Sequence, residues 1–191
     1  MQLKTLALIG LTCITFVGCQ SLKTAPEILT PSNPSEQLNQ QSFKITGKIG
    51  VRTPQQNGSA FYGWNQQGDH FAIDLTGAMG IGQTSIRGVK GQVTLTSSKT
   101  GVIEAQTPEE LLFKATNWEA PITYLVSWIN AQPAQPNAAI TLDDQNRIQT
   151  IDEGGWLATL SYSANEKLPN KLVLIDDAQQ NRVTLTIQTR E

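Results

Sequence analysis

Groups that perform chemistry are scarce in this sequence. Among 191 residues there is one histidine, His70, and there are two cysteines, Cys13 and Cys19. A Cys/His zinc site cannot be built from that set, and a disulfide-rich scaffold is excluded. Charged residues make up only 16%, with 14 Lys and Arg against 16 Asp and Glu. No basic excess is available to follow a phosphate backbone, which argues against nucleic acid as a partner. The chain also lacks a Gly-x-Ser-x-Gly elbow, a phosphate loop ending in Lys-Ser/Thr and a His-Glu-x-x-His run. His70 follows Gly68-Asp69 in an expected hairpin turn, where solvation accounts for it better than a catalytic pair. The carboxylate pairs Asp143-Asp144 and Asp176-Asp177 sit beside Asn and Gln, where turn chemistry explains them. The expectation is a protein that is not an enzyme and uses no metal or cofactor.

The first residues are informative. Lys4 precedes an apolar run over residues 6–17, which has the length of a signal-peptide core and is short for a bilayer span. The run ends in Phe16-Val17-Gly18-Cys19, which looks like a lipobox: a small residue before a cysteine that is acylated and becomes the new N-terminus. Processing at that point would remove Cys13 and consume the thiol of Cys19, leaving no pair for a disulfide. Two or three acyl chains, at about 0.8 kcal/mol per buried methylene, make an effectively permanent anchor. Gln20 follows the cysteine, where Asp would signal retention in the inner membrane, so the outer membrane is expected. Residues 1–18 are thus read as a lipoprotein signal peptide. Residues 19–42, polar and interrupted by three prolines, read as a flexible tether with one helical turn over 35–41.

From residue 43 the pattern acquires a period of two. Phe43, Ile45, Gly47, Ile49 and Val51 share one face, with Lys44, Thr46, Lys48 and Arg52 on the other. The alternation returns at Phe71, Ile73 and Leu75, at Ile140 and Leu142, at Trp156 to Tyr162, and at Val183, Leu185 and Ile187. Turn-forming clusters separate these runs, so antiparallel hairpins are expected. Residues 59–65 carry aromatics on both faces and an internal Gly63, and are read as a strand bulged or bent near that glycine. One stretch breaks the rhythm. Thr107-Pro108-Glu109-Glu110 is a helix start, with Thr as N-cap and Pro in the first turn. After Pro121, Ile122, Leu125, Val126 and Ile129 fall at helical spacing. Two such apolar helices must cover something, and the sheet is what the chain offers.

Between two expected strands lies Gly77-Ala78-Met79-Gly80-Ile81-Gly82, which has no charge where a hairpin tip is usually polar. Two readings stay open: Met79 folds back onto the core, or Met79 and Ile81 form an exposed apolar tip that touches a membrane or another protein.

Several of these pieces occur together in an order that resembles a known family. They are the lipobox, the Gly47-Lys48-Ile49 strand, Trp64 before a hairpin, Leu75-Thr76-Gly77-Ala78-Met79-Gly80, Pro121-Ile122 to Trp128-Ile129, and Leu142-Asp143-Asp144-Gln145. From residue 43 to the C-terminus the chain resembles the LolB family, outer-membrane lipoproteins that receive other lipoproteins from the periplasmic carrier LolA and place them in the membrane. The resemblance implies that residues 43–191 form an incomplete antiparallel β-barrel of ten to eleven strands, with short helices as a lid over a hydrophobic cavity. It implies a LolA-like carrier, lipoprotein cargo held by its acyl chains, and the inner leaflet of the outer membrane as partners of a monomer anchored in a Gram-negative outer membrane. The family's loop leucine corresponds to Met79, with Ala78 where proline is usual. Expected cavity residues are Trp64, Ile73 and Leu160 from the sheet, and Leu111, Phe113, Leu125, Trp128 and Ile129 from the lid; ordinary core packing is the rival role for each. The competing function is a static outer-membrane scaffold whose interior is filled by its own side chains.

Overall fold

The computed structural model describes residues 42–77 and 82–191. Cys19, Met79, Ile81, the expected signal peptide and all of the expected tether except Ser42 lie outside the described residues. Among those described, no helix is long and apolar enough to cross a membrane.

The alternating runs become eleven strands: β1 (Ser42–Arg52), β2 (Asn57–Gln67), β3 (His70–Thr76), β4 (Thr84–Val89), β5 (Gln92–Ser97), β6 (Gly101–Ala105), β7 (Ala139–Leu142), β8 (Ile148–Glu153), β9 (Trp156–Ser161), β10 (Lys171–Asp176) and β11 (Arg182–Arg190). Two helices, α1 (Pro108–Thr116) and α2 (Ile122–Trp128), separate β6 from β7. All neighbouring strands are antiparallel, in the order β6-β5-β4-β3-β2-β1-β11-β10-β9-β8-β7. The barrel is incomplete, because β6 and β7 are the two edges and do not pair. These edges are also consecutive in the chain, so the helical insert bridges the gap that one more strand pairing would close.

β1 shows how the sequence dictates this arrangement. Phe43, Ile45 and Val51 are buried, and the alternate Lys44, Lys48 and Arg52 are exposed, as period two requires. At Gly47 the backbone of β11 comes so close that an added Cβ would lie 1.8 Å from Thr186 O and 2.9 Å from the Tyr62 hydroxyl. The Tyr62 hydroxyl donates to that same carbonyl at 3.1 Å. β2 resolves the ambiguity at residues 59–65: Ala60, Tyr62 and Trp64 face the core and Phe61 faces out. The expected bulge is displaced. β2 pairs with β1 without a shift, whereas the irregularity falls in β1 against β11, between Thr46 and Gly47, opposite Gly63.

β7 departs from expectation. Ile140 and Leu142 are 47% and 52% exposed, not half-buried. As an edge strand β7 has a partner on one side only among the described residues, although Ile140 stands opposite the fully buried Ile151.

The helices form as their signals direct. Thr107 Oγ1 accepts from Glu110 N at 3.1 Å, and Glu110 Oε2 accepts from Gln106 N at 2.8 Å, a reciprocal cap. Asn117 ends α1 in the left-handed conformation, its N–H donating to Phe113 O at 2.7 Å. α2 starts at Pro121 without a side-chain cap of its own, and Glu109 of α1 supplies the acceptor, taking Thr123 N–H at 2.7 Å. A carboxylate at a helix N-terminus satisfies an orphan donor and suits the macrodipole. It also ties the two helices into one unit.

Candidate functional site

A domain usually holds one contiguous core with smaller satellite clusters. Here the described buried residues fall into a large cluster and a small one. The larger joins β1, β2, β8–β11 and α2, with Ile45, Trp128, Ile151 and Leu172 fully enclosed. The smaller joins Val93 and Leu95 of β5 to Ala105 of β6 and Leu111 of α1. Between them lies a cavity of about 190 Å³, walled by Tyr62, Trp64, Leu125 and Leu174 on one side and by Leu95 and Leu111 on the other. No charged side chain among the described residues reaches its wall. An apolar cavity of about 150 Å³ admits a benzene ring. This space therefore has the size and lining to take a hydrocarbon segment.

The hollow explains an otherwise odd feature of β3 and β4. Phe71, Ile73, Leu75 and Ile86 alternate correctly for the inner face, yet they are only partly buried. All four line the cavity. A second compartment of about 310 Å³ shares Trp64, Phe71, Ile73, Pro108 and Ile122 with the first and continues past the start of α1 toward Gly68 and Lys90, where the wall turns polar. Two buried polar atoms on residues of the first wall, Thr84 Oγ1 and Trp118 Nε1, have no hydrogen-bond partner. Such atoms typically cost about 1–3 kcal/mol each.

The lid is built from one face of α1 and the first half of α2. Pro108, Leu111, Leu112 and Ala115 fall at i, i+3, i+4 and i+7 and look into the cavity, joined by Ile122 and Leu125. Of the eight expected wall residues, Trp64, Ile73, Leu111 and Leu125 take that place. The structure places the other four elsewhere. Phe113 follows Leu111 by two residues, about 200° around the helix, and points away, 46% exposed. Trp128 and Ile129 lie a full turn beyond Leu125, where α2 plunges into the larger core cluster. Leu160 packs in that same cluster on β9. Leu112, Ala115 and Ile122 also line the cavity, the first two through the helical stripe that begins at Pro108.

In the sequence, Glu153 announces no more than a turn residue beside Gly154-Gly155. It is buried, and its carboxylate accepts from Trp128 and from the chain after α2. Arg190, half-buried at the end of β11, donates to Ile129 O at 2.8 Å and Pro169 O at 3.2 Å. The end of α2 is thus fastened from two directions, whereas no comparable buried polar anchor is seen beneath α1 among the described residues.

Comparison with known proteins bears on this architecture. The family model described as "Outer membrane lipoprotein LolB" matches residues 41–189. A relative from Pseudomonas putida (strain GB-1), named Outer-membrane lipoprotein LolB, is 32% identical over 179 residues, covering 85% of this chain and 87% of its own. Its namesake in Pseudomonas savastanoi pv. phaseolicola is 32% identical over 182 residues, covering 90% and 88%. That of Stutzerimonas stutzeri (strain A1501) is 28% identical over 186 residues, covering 92% and 89%.

Proposed function

Because the chain belongs to the LolB family of outer-membrane lipoproteins, we propose that it accepts lipoproteins from a LolA-like periplasmic carrier by their acyl chains and inserts them into the outer membrane to which Cys19 anchors it. One observation carries the reading: an uncharged hollow separates two core clusters beneath a helical lid. Acyl chains offer no hydrogen bonds and no charge, so their site needs apolar area, at about 25 cal/mol per Å² buried, and no directed polar groups. The ester carbonyl at the head of such a chain is an acceptor of the kind that the Trp118 indole N–H lacks.

Transfer then runs downhill. Cargo passes to this cavity because it holds the chains more tightly than the carrier does, and onward because the bilayer holds them more tightly still. No nucleotide is needed. The whole cargo exceeds the cavity, so loading requires the lid to rise. α1 and the start of α2, tied together through Glu109 and Thr123, are the part that moves, since Glu153 and Arg190 fasten the far end of α2. Met79 and Ile81, outside the described residues, form the apolar tip that enters the membrane. Burying Met79 contributes roughly 1.5–3 kcal/mol, too little to anchor a protein and enough to orient one already tethered.

The test is acceptance of a radiolabelled lipoprotein from its LolA complex by the Cys19→Ala protein. The expected result is stoichiometric uptake. Absence of uptake by a folded protein that also fails to bind a fluorescent fatty acid would return the chain to the scaffold reading.

A further inference from the structure

The sheet face turned away from the helices carries a feature that cargo binding leaves unused. The adjacent strands β2, β1 and β11 hold five cationic side chains, Lys44, Lys48, Arg52, Arg182 and Arg190, and not one Asp or Glu. In a chain of net charge −2 that is a strong segregation. Two of the five are engaged elsewhere: Lys44 pairs with Glu191 at 3.2 Å, and Arg190 turns inward to the carbonyls named above.

Arg52 and Arg182 stand directly opposite each other across β1 and β11. Both are exposed, next to the buried Val51 and Val183, and neither side chain has an ion pair or hydrogen bond among the described residues. Like charges facing across a sheet are destabilising. Between them and Lys48 lies Gly50, which with Ser59 and Thr184 belongs to an open recess of about 520 Å³ flanked by the two guanidinium groups. Neither backbone nor packing demands glycine at position 50. Its φ is not positive, and an added Cβ would meet nothing nearer than Gly58 O at 3.9 Å. Further along the same face Lys48 lies 6.0 Å over the ring of Phe61, which is 55% exposed. Arg52, Arg182, the start of β2, the end of β3 and the start of β4 all lie at one end of the sheet, with Phe61 opposite Thr76.

We infer that Arg52 and Arg182, with Lys48 and Phe61 beside them, form a binding surface for the phosphate groups of anionic phospholipids, holding this end of the sheet against the membrane. The inference rests on the proposed delivery role in one respect only, that this end is the one presented to the bilayer. Two unpaired guanidinium groups around an empty recess match phosphate oxygens in charge and in hydrogen-bonding geometry. An exposed aromatic ring beside them suits the headgroup layer, where such rings concentrate. The missing side chain at Gly50 leaves the headgroup room.

The experiment uses the full lipid-anchored chain in vesicles, with an environment-sensitive dye on Gln55→Cys in the exposed turn after Arg52. Vesicles of phosphatidylcholine alone are compared with vesicles containing 30% phosphatidylglycerol. The expected result is a blue shift that depends on phosphatidylglycerol, is screened by 0.5 M salt, and is lost in Arg52→Gln/Arg182→Gln, with the docked-to-undocked ratio falling about thirtyfold. Arg52→Lys/Arg182→Lys, which keeps both charges without the planar fork, should retain a salt-screened part of it, which separates charge from misfolding. Equal shifts on both vesicles, or a shift indifferent to the arginines, would overturn the inference. So would a double Gln variant that docks normally and loses only cargo uptake from the carrier, because the patch would then serve a protein. No cargo enters this assay, so failure of the delivery reading, seen as absent fatty-acid uptake, is scored separately.

Discussion

The Trp128 indole Nε1 donates to Glu153 Oε1 at 2.5 Å, joining the end of α2 to the end of β8. The same oxygen accepts Ala134 N–H at 2.7 Å, and Oε2 accepts Gln135 N–H at 2.7 Å. One buried carboxylate thus satisfies three donors that the departing chain would otherwise strand. Glu153→Ala should lower stability by about 3 kcal/mol, since orphaned buried donors cost about 1–3 kcal/mol each and partial relaxation recovers some of that. Glu153→Gln, which keeps one acceptor oxygen, should cost less. Urea unfolding midpoints of the two variants check the order.

Ala115 looks into the cavity from α1, and a larger side chain there would occupy the hollow instead of the cargo. Ala115→Phe is expected to reduce uptake of a fluorescent fatty acid at least tenfold while leaving the melting temperature unchanged or higher. A packed scaffold would respond the opposite way, with no uptake to lose and an overpacked core costing about 1–3 kcal/mol.

Met79→Glu places a charge on the proposed membrane tip. Loading from the carrier should be intact, and transfer to liposomes should slow by a factor on the order of ten to a hundred, the equivalent of one lost apolar side chain in the bilayer. Unaltered transfer would favour the reading in which Met79 packs on the core.

Gly47 is fixed by contact. With Thr186 O only 1.8 Å from a built Cβ, Gly47→Ala should cost about 3 kcal/mol or more, because backbone must move. Gly63→Ala supplies the control: it sits opposite Thr46 on the neighbouring strand and has nothing within 4 Å, so its effect should be small. Denaturation midpoints of the pair test the contrast.

Burial holds the Tyr62 phenol above its ordinary value near 10, with the Arg190 charge pulling weakly the other way. The unfolded chain therefore loses this proton first. Above pH 10 the native state binds more protons than the unfolded one, so stability falls as pH rises through that window and is fully present below it. Tyr62→Phe should remove that part of the alkaline slope, at a cost of about 1 kcal/mol near neutrality for the lost bond to Thr186 O. Urea midpoints at pH 9 and pH 11 measure both effects.

Local signals were legible wherever one periodicity or one cap decided the outcome. The alternation at Phe43 to Val51 became β1, Thr107-Pro108 opened α1, and Pro121 led into α2. They failed where an outcome depended on neighbours distant in the chain. Ile140 and Leu142 alternate as faithfully as any pair, but their exposure follows from β7 being an edge. Phe113 was read as lining because it is apolar and helical, and its actual direction follows from which stripe of α1 meets the sheet. Glu153 looked like a turn residue because nothing nearby in sequence announces Trp128, 25 residues away.

The sequence by itself determined the strands, the helices, the absence of charged chemistry and the family pattern, because each depends on residue type and short-range spacing. The tertiary structure decided that the interior is hollow. An apolar stripe has the same pattern whether it meets another side chain or empty space, and only the placing of α1 against β5 and β6, across from β3 and β4, leaves the gap.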